Sequence, residues 1–284
     1  MSDVLKLTAA DFKEVPGTYY REYCGKVDLS TEFDGSVEIE GGLGWVYFPK
    51  LWVRKHITAS AGSGIEAGSG IKAGEGIKAG WGIKAGWGIR AGSGIKAGEG
   101  IKAGSGIEAG WGIEAGSGIR AGSGIKAGVG IEAGWGIRAG SGIKAGSGIK
   151  AGEGIKAGWG IRAGSGIEAG EGIKAGSGIE AGWGIEAGSG ILAGLSITCK
   201  KVLSFRFRLF AGVAVYKQTV TDEEKRVTCG RLDGGEVVYG QVVELGMGDA
   251  EAQPSVVNES APAPFRRLVL DGTEYELHPV EVGQ

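Results

Sequence analysis

The chain has 284 residues, a formal net charge of -2 and 60 glycines. Glycine is therefore about three times more abundant than its usual share of about 7%. Collagen is excluded, because there are only 6 prolines and glycine does not fall at every third position. No apolar run reaches the ~18 residues that a membrane span needs, and the N-terminus lacks the apolar core of a signal peptide. We therefore expect a cytoplasmic protein.

The cysteines and histidines do not form a recognisable site. Cys24, Cys199 and Cys229 are an odd number of cysteines at wide spacing, which does not fit a disulfide framework or a zinc site. His56 and His278 are far apart in sequence. The expectation is three reduced thiols, no metal, no cofactor and no catalytic residues.

Residues 1–58 differ in composition from the repeat that comes after them. They begin with a segment that predicts a short helix or irregular structure, and continue with VEIEGGLGWVYFPKLWV, whose alternation is typical of strands. A solenoid leaves open sheet edges at its ends, so this segment is predicted to be an N-terminal cap.

Residues 59–197 form a repeat array. Isoleucine occupies every sixth position from Ile65 to Ile191 without exception, in a unit that reads I-(K/R/E)-A-G-(S/W/E)-G. Two glycines in every hexad would cost about 1 kcal/mol each in a helix, whereas isoleucine packs well on a pleated sheet. The charged residue after isoleucine points the opposite way. We expect an all-β fold, a β-solenoid of hexapeptide repeats in which glycine takes positive φ at the corners.

The C-terminal part divides into three predicted segments. Residues 198–248 form a β region, in which SFRFRLF is expected to place Phe205, Phe207 and Leu209 on one face. Residues 249–264 are a linker by composition, and residues 265–284 are predicted to close the chain with a β-hairpin over Asp271-Gly272. The apolar face of SFRFRLFAGVAVY could serve as a cap or as a homodimer contact.

The I-x-A-G-S-G unit resembles the hexapeptide-repeat family of left-handed β-helices, which implies triangular coils of three hexads. Many members are acyltransferases with a catalytic histidine in the coil region. No histidine lies between Ile57 and Ile197, so that activity does not transfer. The whole pattern is also similar to uncharacterised bacterial and prophage proteins with IEAG-type arrays, which implies no established activity.

The number of hexads in one coil stays open from the sequence alone. The corner chemistry favours three hexads. The variable position instead gives columns of like residues at every fourth hexad, which favours a coil of two or four hexads. Lysines also align at every fourth hexad, although stacked like charges would repel one another. These lysines are Lys78, Lys102, Lys126, Lys150 and Lys174.

The array tryptophans are the candidate binding residues. Serine and glutamate share their position in the unit, and glutamate is seldom buried without a partner, so an outward orientation is favoured. Tryptophan beside lysine and arginine is typical of a protein interface. The candidate partner-binding residues are therefore the five lysines above together with Trp81, Trp87, Trp111, Trp135, Trp159 and Trp183.

The predicted function is a non-enzymatic solenoid that binds a macromolecular partner, most simply a protein. With the prophage resemblance, the expectation extends to an accessory protein of a phage or mobile element, with inhibition of a host defence complex as one such role. The alternatives are a structural spacer or virion component, and a nucleic-acid-binding protein. The last is weakened by the mixed charge of the array, which has 14 Lys/Arg and 11 Glu between Ile65 and Leu192.

Overall fold

The computed structural model confirms an all-β solenoid of stacked parallel strands. It describes residues 3–246 and the two strands Arg267–Leu270 and Thr273–Glu276. Within this part of the chain, the one helical element is a 3-10 turn at Ala9–Asp11. From Ile71–Ala73 to Ile185–Ala187, each strand pairs in parallel with the third strand after it, so that Ile77 stands beside Ile95, for example. One coil therefore contains three hexads.

The strands of the array lie on three faces, which the chain visits in the order A, B, C. From Ile71 to Ala193, each strand is three residues long and begins at an isoleucine. Face A contains Ile77–Ala79, Ile95–Ala97, Ile113–Ala115, Ile131–Ala133, Ile149–Ala151, Ile167–Ala169 and Ile185–Ala187. Face B contains Ile83–Ala85, Ile101–Ala103, Ile119–Ala121, Ile137–Ala139, Ile155–Ala157, Ile173–Ala175 and Ile191–Ala193. Face C contains Ile71–Ala73, Ile89–Ala91, Ile107–Ala109, Ile125–Ala127, Ile143–Ala145, Ile161–Ala163 and Ile179–Ala181.

The structure thus settles how many hexads make one coil, which the sequence left open. Like residues at every fourth hexad are therefore not stacked on one another. A step of four hexads equals one coil plus one side, so Lys78, Lys102 and Lys126 lie on faces A, B and C respectively. The ladders that do form are of isoleucine and alanine, which occur in every hexad and would match at any whole number of hexads. The identity of the exposed residues therefore does not select the coil length.

The core is a stack of isoleucines and alanines. Ile125 and Ala127, for example, are 1% and 3% exposed, whereas the intervening Lys126 is exposed. The same buried-exposed-buried pattern recurs along the array, with the middle residue half-buried in a few strands. The alternation predicted from the sequence is thus confirmed, and each coil contributes three isoleucines and three alanines to one continuous core.

The glycines of the array serve a different purpose from the one expected. Positive φ occurs at seven glycines of the described residues, and none of them belongs to the hexads after Gly62. Instead, a Cβ on the glycine that follows alanine would overlap the carbonyl oxygen of the residue one coil earlier; for Gly128 this is the oxygen of Gly110. Close approach between successive coils, and not left-handed backbone, requires glycine at this position.

The N-terminal residues continue the solenoid. Their strands are Asp3–Leu7, Phe12–Glu14, Tyr20–Tyr23, Gly35–Ile39, Gly44–Phe48, Leu51–Val53, Ile57–Ala59 and Ser63–Ala67. On face A the register runs from Leu5 through Val37 and Ile57 to Ile77. Phe12–Glu14 instead pairs antiparallel with Tyr20–Tyr23. This hairpin brings Phe12 and Tyr23 onto Phe48, with ring centroids 5.8 and 5.3 Å away.

The C-terminal strands also continue the coils. They are Ile197–Cys199, Val202–Ala211, Arg226–Cys229, Arg231–Tyr239 and Gln241–Glu244. Val202–Ala211 crosses from face A to face B, pairing first with Ile185–Ala187 and then with Ile191–Ala193. It turns the corner between these two faces without the glycines of the repeat.

The predicted face of SFRFRLF is wrong at one residue. Phe205 and Leu209 are buried, but Phe207 is 59% exposed, because it lies at the corner between faces A and B. Most of the face proposed for a homodimer is therefore used in the chain's own core. A dimer contact stays a prediction, restricted to exposed residues such as Phe207, Val215 and Tyr216.

The last predicted segments lie largely beyond the described residues. The strands of the expected hairpin are present, because Arg267–Leu270 pairs antiparallel with Thr273–Glu276. Its turn at Asp271-Gly272 and the predicted linker at residues 249–264 lie outside the described part of the chain.

Two of the thiols belong to the core. Cys199 and Cys229 stand on face C at the position that alanine holds in the array, and they are 1% and 0% exposed. Burial raises the pKa of the Cys199 thiol to about 11 and that of Cys229 to about 12. Cys24 is exposed.

Substitution of a core isoleucine should destabilise the protein far more than substitution of its charged neighbour. We expect Ile125→Ala to lower the free energy of unfolding by about 2–5 kcal/mol, because it leaves a cavity in a close-packed stack. Lys126→Ala should change it by less than about 0.5 kcal/mol. Urea denaturation of both variants measures the difference, and equal effects would contradict the inward assignment of isoleucine.

The two glycines of one hexad should differ in their tolerance of a methyl group. Gly128→Ala should lower the free energy of unfolding by about 1–3 kcal/mol or more, as overpacking typically does. The new Cβ would overlap backbone atoms that cannot move aside. Gly130→Ala places its Cβ 3.6 Å from the Gly148 oxygen, which is ordinary contact. This control should stay within about 1 kcal/mol of the parent. Thermal unfolding followed by circular dichroism compares the two.

Thiol reactivity should separate Cys24 from the other cysteines. Alkylation requires the thiolate, and a pKa raised to about 11 or 12 keeps Cys199 and Cys229 protonated and unreactive at pH 8. Iodoacetamide at pH 8 should therefore label only Cys24 in the native protein and all three cysteines in urea, as mass spectrometry would show. Rapid native labelling of Cys229 would contradict the burial of the last coil.

Candidate partner-binding surface

The tryptophans of the array lie at the edges between faces, where the chain turns from one strand to the next. Trp87 and Trp159 precede face C strands and lie on the B/C edge; Trp111 and Trp183 lie on the C/A edge, and Trp81 and Trp135 on the A/B edge. Five are 61–71% exposed, and Trp81 is 37% exposed. The outward orientation favoured from the sequence is thus observed, but the indoles spread over three edges and do not form one column.

The five candidate lysines are also distributed. Lys78 and Lys150 lie on face A, Lys102 and Lys174 on face B, and Lys126 on face C. Each charged residue stacks in register on the residue three hexads away. The relevant neighbours are therefore those of the same face, and not those four hexads along the chain.

On faces A and C, the charged column contains both acids and bases, and several opposite charges are close enough to pair between coils. On face A, Lys96 Nζ is 2.6 Å from Glu114 Oε1, and Lys150 Nζ is 2.9 Å from Glu168 Oε1. The hydrogen bond to Glu168 raises the pKa of Lys150. On face C the corresponding ion pairs join Arg90 to Glu108, Lys126 to Glu108 and Arg162 to Glu180. These contacts offset the repulsion of stacked like charges.

Face B has no such mixture of acids and bases after Glu66. Its charged column, which we call column B, consists of Lys84, Lys102, Arg120, Arg138, Lys156 and Lys174. Lys84 is 3.8 Å from Glu66. The other five form no ion pair with a described residue. This concentration of positive charge could not be found from the sequence, since the six residues are assigned to one face only when the coil length is known.

The grooves of the three faces also differ in charge, because each groove is lined by the charged residues of its own face. Each face carries a shallow groove along the solenoid, of about 1280 Å³ on face C, 1060 Å³ on face A and 910 Å³ on face B. The groove on face A is lined by more glutamates than lysines, whereas cations outnumber carboxylates in the other two. An anionic ligand would therefore be repelled by face A and attracted to faces B and C.

Two aromatic residues outside the array contribute to the N-terminal ends of these grooves. Lys84 Nζ lies 3.8 Å from the centre of the Trp45 ring on face B. Lys50 Nζ lies 3.1 Å from the Trp52 ring on face C. Neither tryptophan is among the residues predicted from the sequence, because both precede the repeat. Their place in GWVYF and LWV, at or near the middle of strand-like segments, was the available signal.

The described residues hold no cluster of three or more His, Cys, Asp or Glu side chains that could bind a metal ion. His56 contacts Glu75 through Nε2 and accepts a hydrogen bond from the Gly76 amide at Nδ1. Among the residues described, no helix is long and apolar enough to cross a membrane. The arrangement thus offers repeated exposed aromatic and cationic side chains on a regular scaffold.

Comparison with known proteins adds no further assignment. The chain matches no protein-family model, no curated protein and no solved structure.

Proposed function

We propose that the protein is a non-enzymatic solenoid that holds a macromolecular partner, a protein, against the outward surface of its array. The observation that carries the proposal is the exposure of the edge tryptophans, five of which leave more than half of their surface in water. Tryptophan is among the residues most enriched in the centres of protein interfaces.

The scaffold favours such a role energetically. Exposed indole is unfavourable in water, and its burial against a partner returns about 25 cal/mol per Å² of apolar area. The backbone that presents each indole is already fixed by ladder hydrogen bonds, such as that from the Trp111 amide to the Ser93 carbonyl. Little conformational entropy is then lost on binding. Serine occupies the same position in many hexads, so the fold itself does not require tryptophan there.

The lysines would act mainly on the rate of encounter. Lys78, Lys102, Lys126, Lys150 and Lys174 are spread over three faces, and exposed charges of this kind steer association and are screened by salt. We therefore assign the larger share of the binding energy to Trp87, Trp111, Trp135, Trp159 and Trp183, with Trp81 contributing less because it is the least exposed.

A structural spacer is the second candidate. Uninterrupted backbone ladders along the array support it, because they make a rigid rod between the two ends of the chain. Inhibition of a host defence complex by a prophage protein is a narrower form of the binding proposal, and it rests on the resemblance of the repeat alone.

The experiment replaces Trp87, Trp111, Trp135 and Trp159 with serine in the full-length chain. The variant should keep the circular dichroism spectrum of the parent, because serine already occupies this position elsewhere. Capture of a partner from nuclease-treated extract of the native host should fall at least tenfold, since an interface tryptophan commonly contributes about 2 kcal/mol or more.

The matched control replaces Lys78, Lys102, Lys126 and Lys150 with glutamine. This variant should capture nearly as much partner as the parent at 150 mM salt. Undiminished capture by the folded tryptophan variant would instead favour the spacer, with the flanking segments as the binding parts.

A further inference from the structure

We propose that a strip of the array formed by column B and the adjoining B/C edge binds single-stranded nucleic acid. This ligand is distinct from the protein partner proposed above, and the inference does not depend on that partner. It rests on the charge of column B, on the composition of the B/C edge, and on the contrast between this strip and the rest of the array.

Column B supplies the positive charge. From Lys102 to Lys174 it presents five successive cations, one per coil, at a spacing of about 4.8 Å and over roughly 19 Å. None of the five is paired with a carboxylate of the described residues, whereas most cations on faces A and C pair with a glutamate. Neighbouring cations on column B therefore repel one another, and a bound anionic ligand would reduce this repulsion.

The B/C edge supplies the aromatic surface and lies three residues beyond column B in each coil. Its variable positions contain no carboxylate in this stretch: they are Trp87, Ser105, Ser123, Ser141, Trp159 and Ser177. Trp87 and Trp159 are 71% and 67% exposed and stand four coils apart, roughly 19 Å. On the far side of the edge, face C adds Lys144, which has no ion pair with a described residue.

The opposite rim of face B sets the boundary of the strip. Glu99, Glu153 and Glu171 lie on the A/B edge, at one wall of the face B groove. These carboxylates repel phosphate, so an anionic strand is confined to the B/C side of column B. The charge thus changes across face B: the A/B edge carries carboxylates, column B carries cations, and the B/C edge carries tryptophan and serine.

A single strand fits this strip better than the other polyanions. Proteins that bind single-stranded nucleic acid combine cations along the backbone with aromatic side chains on which bases stack, and they need no sequence-specific contacts. The Asp and Glu side chains of an acidic polypeptide would pair with the cations but have no ring to stack on the two tryptophans. In a duplex the bases are already stacked on one another, so the indoles would stay uncovered.

The experiment measures binding of fluorescein-labelled 12-nucleotide oligo-dT and oligo-U to the purified full-length protein by anisotropy, at 50–200 mM salt. The test variant combines Lys102→Gln, Arg120→Gln and Arg138→Gln. Its matched control combines Lys78→Gln, Lys96→Gln and Lys150→Gln on face A. Loss of three phosphate contacts should reduce the magnitude of the slope of log K against log salt by about 2, at about 0.7 per contact. The control should keep the parental slope.

A second pair of variants tests the aromatic contribution. Trp87→Ser with Trp159→Ser should weaken binding at least tenfold, because base stacking on an aromatic side chain contributes substantially at each base. Trp111→Ser with Trp183→Ser, the same change on the C/A edge, should leave binding unchanged. Circular dichroism checks the fold of each variant; if a triple variant does not fold, Lys102→Gln is compared with Lys96→Gln.

Three results would overturn the proposal. The first is the absence of saturable oligonucleotide binding by the parent. The second is an equal loss in a test variant and its control, which would show diffuse attraction and no defined strip. The third is equal or tighter binding of poly-glutamate or of a 12-base-pair duplex, which would assign the strip to an acidic polypeptide or to double-stranded DNA. Since only purified protein and synthetic ligands are used, failure here leaves the protein-partner proposal to its own test.

Discussion

Successive coils of this solenoid meet most closely at the glycine that follows each alanine, and the architecture depends on that approach. At this point the amide of each glycine donates to a carbonyl of the preceding coil, as Gly128 does to Ala109 at 3.1 Å. A side chain there would occupy the position of the neighbouring carbonyl oxygen. This contact fixes the backbone between one strand and the next, so that each following isoleucine is aligned with the isoleucine of the preceding coil. The isoleucines then form a continuous core.

In each hexad, packing constrains the isoleucine and the alanine, and close approach between coils constrains the glycine after alanine. The second glycine is less closely approached, and the charged position and the edge position face outward. The charged position and the edge position can therefore change without affecting the core. On faces A and C the free positions hold ion pairs between coils, while column B holds cations alone. The edges in turn hold serine, glutamate or tryptophan, with Val129 and Leu195 as the two exceptions. The pattern of charged and aromatic residues can thus vary on a scaffold whose strand register stays the same from coil to coil.

The two ends depart from the repeat where the stack must stop or turn. At the N-terminus an antiparallel hairpin brings Phe12 and Tyr23 against Phe48. In the C-terminal part, the single strand Val202–Ala211 contributes to both face A and face B. Its two leucines are six residues apart, as the isoleucines of the repeat are. The compositional boundaries near residues 58 and 197 are accordingly not interruptions of the coil, since Ile57 and Ile197 pair in register with strands on both sides.

The sequence by itself determined the fold class, the inward isoleucines and the outward charges, because these follow from side-chain alternation and an unbroken period of six. It also indicated that the tryptophans face outward, since glutamate shares their position. The coil length, the reason for the glycines and the grouping of the surface residues were decided only by the tertiary structure. Every hexad has the same core residues, so local sequence is equally compatible with two, three or four hexads per coil. The three-sided coil, once closed, separates Lys78 from Lys102 and joins Lys102 to Arg120 and Arg138. Which exposed residues lie beside one another depends on the number of strands in one coil. The sequence of a single hexad does not specify that number.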